Sequence, residues 1–304
     1  MKVVAIAGGT GSAKLIRGLS YLGPDLTVVA NVGDNIWMHG LYVCPDVDIA
    51  LYTLAGIADK SRGWGVEGDT FNSLAGLRAL NTESWFALGD RDLATHIVRT
   101  ALLRSGASLT EVTEKLRRDL HATSRVLPAT DDPLETHVRT KKGLLHLQEF
   151  WVREGGRPGV TGVEYRGAAR SRPSPQVADS IKGADRIVLC PANPVTSIGP
   201  ILAIPGFPKL LQGARARITA LSPMLGSSPF SGPAAKLMKA AGLRPNSLGV
   251  AVRYSGFLDA ILIDSKDAGL AEEISNQGVQ CHLSDIRMAG PEDETRLARA
   301  VLRA

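Results

Sequence analysis

The chain has 304 residues, with 35 Lys and Arg against 30 Asp and Glu, a formal net charge of +5, and 44% hydrophobic residues. That balance excludes disordered and fibrous classes and suffices for one large core or a core with a smaller domain. Basic residues are scattered and aromatic content is only 5%, so no stacking surface for nucleic acid is expected.

The longest apolar runs fall far short of the roughly 18 residues of a membrane span, and no signal peptide is read. Cys44, Cys190 and Cys281 are odd in number and widely spaced, which fits neither a disulfide framework nor a paired metal motif. A cytoplasmic protein with no membrane partner is the expectation.

In chain order, Val3 to Ala7 is the first of a series of short apolar, β-branched runs bounded by Gly, Pro, Asn or Asp. Leu26 to Ala30, Arg186 to Cys190, Ile218 to Leu221, Ala260 to Asp264 and Val279 to Leu283 follow, and each predicts a buried strand. Helix-period stretches alternate with them, including Lys14 to Leu22, Gln176 to Ile181, Ala234 to Ala241 and Ala268 to Gln277. The alternation predicts an α/β fold with a doubly wound, mainly parallel sheet.

From Ile49 to Ala122 apolar residues recur at three and four spacing with almost no strand signal. A helical insert domain of residues 49–122 is therefore expected within a core made of residues 1–48 and 123–304. Ser108 with Glu111 makes a capping box for a helix Leu109 to Leu120. Thr136 to Thr140 and Leu144 to Trp151, flanking Lys141-Lys142-Gly143, predict a β-hairpin.

The first strand runs into Gly8-Gly9-Thr10-Gly11-Ser12-Ala13-Lys14. Such a turn exposes backbone N–H groups at a helix N-terminus, where a phosphate is favoured by hydrogen bonds and by the helix dipole. A P-loop would need Gly and Ser or Thr where this chain has Ala13 and Leu15, and a dinucleotide fingerprint would need an acidic residue where it has Asn31. A diphosphate cradle with Lys14 as counter-charge is the preferred reading; a tight turn needing glycine for geometry alone is the other.

Asn31-Val32-Gly33-Asp34 ends the second strand, which places Asp34 beside the glycine turn. Asp46 in Pro45-Asp46-Val47-Asp48 reads as the N-cap of a helix through Leu54, a little ahead of a ligand role. Asp48, in the first turn of that helix, would contribute only about 0.3–1 kcal/mol as a dipole partner, or would join Asp34 and phosphate oxygens around a hard cation. His39 reads as a surface residue and Gly89 to His96 as a helix start with acidic residues in its first turn. Pro191 to Pro200 offers a third polar turn, and Ser222-Pro223-Met224 leading to Ser231-Gly232-Pro233 and Lys236 a fourth. All four turns follow strands, so they converge on one crevice.

Taken together, Gly8 to Gly11 with Lys14, Asn31 to Asp34, Pro45 to Asp48, Leu88 to Asp92, Pro191 to Pro200 and Ser231 to Met238 make the chain similar, over essentially its whole length, to the 2-phospho-L-lactate transferases of deazaflavin coenzyme F-420 biosynthesis. The resemblance implies a Rossmann-like core, a small helical domain and a homodimer. It implies transfer of a phospholactyl, phosphoenolpyruvyl or phosphoglyceryl group from a guanosine diphosphate conjugate to the ribityl hydroxyl of the deazaflavin Fo, with release of GMP and use of magnesium.

Carried onto this chain, the family's metal and deazaflavin aspartates fall on Asp34 and Asp48, the two candidates to orient the hydroxyl. Its nucleotide-contacting turns fall on Gly9, Thr10, Gly11 and Lys14 and on Asn193 to Ser197. Some members have Lys or Arg where this chain has Ala87, which leaves Arg91 as the basic contact to the deazaflavin. A related group of non-enzymatic, nucleotide-sugar-binding regulatory proteins, sharing the glycine turn and Asn-Val-Gly-Asp segment, is the alternative. An NAD-dependent oxidoreductase is set back further by Lys14 and Asn31.

Overall fold

The computed structural model describes residues 1–226, 228, 229 and 232–304. Its centre is a seven-stranded sheet in which every pairing is parallel. The strands are β1 (Lys2–Ala7), β2 (Asp25–Ala30), β3 (Arg125–Pro128), β4 (Arg186–Leu189), β5 (Arg217–Leu221), β6 (Ala260–Asp264) and β7 (Gln280–Ser284). They lie in the order β7-β6-β5-β4-β1-β2-β3, a Rossmann-like, doubly wound arrangement. The strand order reverses where β1 pairs with both β2 and β4, and the crevice outside the carboxyl ends of those strands is where such sheets bind ligands.

Six of the strands fall where the apolar runs predict them. For the inner ones the reason is that a strand covered on both faces must be apolar; every residue of β1 after Lys2 is buried, whereas β7, at the sheet edge, has no buried residue. β3 escapes the pattern. It is only Arg-Val-Leu-Pro, and its proline is tolerated because the strand lies at the sheet edge.

Helix α1 (Gly9–Tyr21) begins inside the glycine turn, with Gly8 as N-cap, rather than at Lys14. The following helices are α2 (Pro45–Leu54), α3 (Asn72–Ala79), α4 (Asp90–Arg104) and α5 (Leu109–Asp119). The stretch expected to be helical is so, but the division at 48/49 falls inside α2. Leu109, Val112 and Leu116 of α5 belong to the same core as the strands, whereas Met38, Val43 and Leu88 form a small separate cluster with Trp85, Phe86 and Leu93.

The capping box of α5 is present: Ser108 Oγ accepts from Glu111 N at 3.2 Å, and Glu111 Oε2 accepts from Ser108 N at 2.8 Å. Glu135–Thr140 and Gly143–His146 form the hairpin, and Val160–Arg166 adds a third antiparallel strand. The second strand stops at His146 because the Glu149 carboxylate accepts from His146 N at 3.0 Å, turning the chain into a π-helical turn, Glu149–Arg153. No helix among the described residues is long and apolar enough to cross a membrane.

Candidate active site

The glycine turn is shaped by what presses on it. A methyl on Gly8 would lie 2.8 Å from Ser197 Cβ and 2.9 Å from Asp46 Oδ2, and one on Gly11 would collide with the Pro191 carbonyl. Gly9 has φ +70°, a left-handed conformation for which glycine is suited. The turn ending β1 and the turn ending β4 are thus in contact. Asn193 Oδ1 accepts from Val195 N at 2.9 Å, which folds the second turn back on itself.

Asn31, fully buried at the end of β2, organises the acidic side of the crevice. Its Nδ2 donates to Asp34 Oδ1 and to Asp46 Oδ2, each at 2.9 Å, and its Oδ1 accepts from Gly33 N at 2.8 Å. Asp46 does not cap α2. Cys44 is the N-cap, with Pro45 following, and the Asp46 carboxylate instead accepts from Gly9 N at 2.6 Å.

Asp34 and Asp46 therefore stand together with only amides as partners. Burial first, then the Asp46 charge, pushes the Asp34 carboxyl well above its ordinary range, and burial raises Asp46 to about 6 against the hydrogen bonds from Asn31 and Gly9. Two oxygen-donor carboxylates held this close, without a protein cation between them, fit a hard divalent cation. No cluster of three or more His, Cys, Asp or Glu side chains arranged for a metal occurs among the described residues. Phosphate oxygens and water would have to complete the coordination.

Asp48 is built differently. Both of its oxygens are taken by the terminal nitrogens of Arg99, which is completely buried. Arg99 Nη1 also lies 3.1 Å from His96 Nδ1; a guanidinium can only donate, so that ring nitrogen accepts and the ring proton sits on Nε2. His96 Nε2 stands 3.3 Å from Asp92 Oδ1, off the angle of a good hydrogen bond, while Tyr52 donates to the same oxygen at 2.7 Å. Burial pushes the Asp92 carboxyl up, but His96 and Tyr52 outweigh it and leave it below the ordinary carboxylate range. His96, Arg99 and Tyr52 are absent from the sequence-based candidates. The signal for His96 and Arg99 is the spacing Asp92, His96, Arg99, which puts three ionisable residues on one face of α4; Tyr52, on α2, has none.

Of these groups Asp34, Asp46, Asp48, Tyr52, Asp92 and His96 line a cavity of about 520 Å³. Gly9, Thr10, Gly11, Asp34, Asp48, Asn193 and Ser197 all border it, as does Ala87. Trp64, Trp85, Phe86 and Trp151 supply aromatic walls, and the buried Trp85 Nε1 has no partner among the described residues. Two expected contacts are not brought there. Lys14 is exposed, its Nζ donating to Met288 O at 2.8 Å, and Arg91 is exposed, its Nη1 donating to Glu67 O at 3.0 Å.

His39 is exposed in the turn between the paired strands Ile36–Met38 and Leu41–Val43. Pro223 borders the cavity, but Lys236 donates to the carbonyls of Gly156, Arg157 and Pro158 instead of entering it. Ser231, singled out with the fourth turn, lies outside the described residues.

Fold and site define an α/β protein with a ligand cavity at the switch point of a doubly wound sheet. Residues 3–298 match the family model of 2-phospho-L-lactate transferase CofD, and the chain belongs to that family. It is 40% identical to the 2-phospho-L-lactate transferase of Methanosarcina mazei over 306 residues, covering 99% of this chain and 100% of that one. It is also 40% identical to the phosphoenolpyruvate transferase of Streptomyces griseus over 310 residues, covering 99% of this chain and 98% of that one. A crystal structure of a upf0052 family member from Bacillus halodurans shares the fold, with a TM-score of 0.68 at 17% identity, covering 99% of this chain and 100% of that one.

Proposed function

We propose that the protein transfers a phosphorylated three-carbon acid from its guanosine diphosphate conjugate to the ribityl hydroxyl of the deazaflavin Fo, releasing GMP. The observation that carries this reading is one cavity lined both by the glycine turn opening α1 and by the aromatic side chains of Trp64, Trp85, Phe86 and Trp151. The first suits a diphosphate and the second a flat tricyclic ring. Relatives named for phospholactate and for phosphoenolpyruvate are each 40% identical to this chain, so both acids are donors to try.

In the reaction the hydroxyl oxygen attacks the phosphorus that bears the acid. The bond from that phosphorus to the bridging oxygen breaks, GMP leaves with the electron pair, and the hydroxyl proton passes to solvent. Such a step asks the protein chiefly for position and charge stabilisation. With Gly9 N given to Asp46, the amides of Thr10 and Gly11 hold the diphosphate, and Asn193 and Ser197 border the nucleotide. Asp48, fixed by Arg99, accepts a hydrogen bond from the hydroxyl. Asp34 and Asp46 would hold magnesium, which when bound supplies neutralisation of the diphosphate charge. The aromatic walls keep water from competing as the acceptor.

The test is to mix the purified protein with Fo, magnesium and either guanosine diphosphate conjugate, and to follow GMP and the deazaflavin product by mass. GMP release that requires Fo and matches the product is the expected result. Conjugate binding with no Fo-dependent GMP would leave a nucleotide-binding protein without this activity.

A further inference from the structure

Four aspartates, Asp34, Asp46, Asp48 and Asp92, border the cavity, and among the described residues that line it Arg62 is the only lysine or arginine. A donor of the proposed class brings a diphosphate and a carboxylate into this acidic space. The diphosphate has the amides of α1 and would have the cation that Asp34 and Asp46 could hold. The carboxylate has neither.

Arg62 is held in place before any ligand arrives. Its guanidinium carbon lies 5.2 Å from the Trp64 ring centroid and 5.0 Å from that of Phe71. Its Nη2 donates to Val66 O at 3.0 Å and pairs with Asp59 at 2.8 Å. Asp59 is fixed in turn by the amide and hydroxyl of Ser61, at 2.8 Å and 2.6 Å. Both outward contacts are made by Nη2, and Nε is buried without a partner among the described residues. The two rings, which stand at 72° to each other, and the fixed Nη2 contacts confine the guanidinium, so little side-chain freedom is left to lose on binding.

The segment also lies where the donor would pass. A methyl on Gly63, the next residue, would stand 3.6 Å from Thr10 Cγ2, which puts Arg62 one residue from the glycine turn. A planar anion near the diphosphate therefore meets a planar, pre-oriented cation. We propose that Arg62 binds the carboxylate of the donor's three-carbon acid and so makes the enzyme select an anionic acid over a neutral one; this rests on the transferase reading above. A charge-assisted contact of this kind is worth about a tenfold or larger preference.

Calorimetry in magnesium tests it with four probes: GDP, the diphosphates in which GMP is joined to phospholactate or to phosphoenolpyruvate, and the phospholactate conjugate with its carboxyl capped as an amide. The parent should prefer the carboxylate conjugate to the amide by about tenfold or more. Arg62→Gln should bind GDP within about twofold of the parent and lose that preference, and Arg62→Lys should restore part of it, since it keeps the charge but not the fork. A preference that survives in Arg62→Gln overturns the assignment. So does a GDP affinity that falls as far as that for the conjugates, which would place Arg62 on the diphosphate, and so does a parent that never distinguishes acid from amide. A parent that shows the preference but transfers nothing to Fo would overturn the transferase reading alone. Thermal melting accompanies each variant, and if Arg62→Gln fails to fold, Arg62→Lys and the parent's acid-to-amide ratio decide the matter.

Discussion

Arg99 grips both carboxylate oxygens of Asp48 from a position with no exposed surface, and Asp48 itself is only 4% exposed. Removing one charge of such a pair strands the other in the core, at a cost of about 3–5 kcal/mol. That far exceeds the 0.3–1 kcal/mol of a dipole partner. Asp48→Asn is therefore expected to lose several kcal/mol of stability in urea unfolding, as well as turnover. An Asp48→Leu, Arg99→Met double variant should regain most of the stability and none of the activity. An Asp48→Asn protein within about 1 kcal/mol of the parent would contradict the pairing.

The position of Lys14 leads to a different expectation from the one its sequence neighbours suggest. Because its ammonium is spent on the Met288 carbonyl outside the cavity, Lys14→Met should leave GDP affinity within about twofold and change stability by only about 1 kcal/mol. A tenfold loss of GDP affinity would bring Lys14 back to the nucleotide.

The paired carboxylates predict a pH effect with a definite sign. Asp34 and Asp46 titrate above their ordinary range in the folded chain, chiefly through burial, with Asp46 raised to about 6. A raised folded-state pKa contributes stability that is complete below the unfolded value of about 3.9 and lost as pH rises through the folded value. In chelator, the unfolding free energy of the parent minus that of Asp46→Asn should thus fall by on the order of 2–3 kcal/mol between about pH 4 and pH 7. Added magnesium should recover part of it near neutrality. A difference that stays flat over that range would mean that Asp46 is not buried against Asp34 in solution.

What could be read from residues alone follows the range of the forces involved. Strands buried on two faces declare themselves through unbroken β-branched runs, and the glycine turn through its own composition. The capping box of Ser108 and Glu111 is equally local, three residues apart. Asp46 was misassigned as a cap because its partner, Gly9 N, lies 37 residues away. Arg99 was passed over for a similar reason: its partner Asp48 is 51 residues distant, and an arginine on an amphipathic helix looks like any solvent-facing cation. Arg62 sits in a loop whose position over Thr10 only the folded chain reveals.

The central claim is that a metal-bound diphosphate lies on the glycine turn between Asp34 and Asp46. Crystals grown with GDP and manganese in place of magnesium test it most directly, through the anomalous scattering of the metal. The account predicts a single strong peak within coordination distance of the Asp34 and Asp46 carboxylates and of the GDP phosphates, and its loss in Asp34→Asn crystals. GDP bound in the cavity with no metal at that pair, or with the metal on Asp48 in place of Arg99, would contradict it.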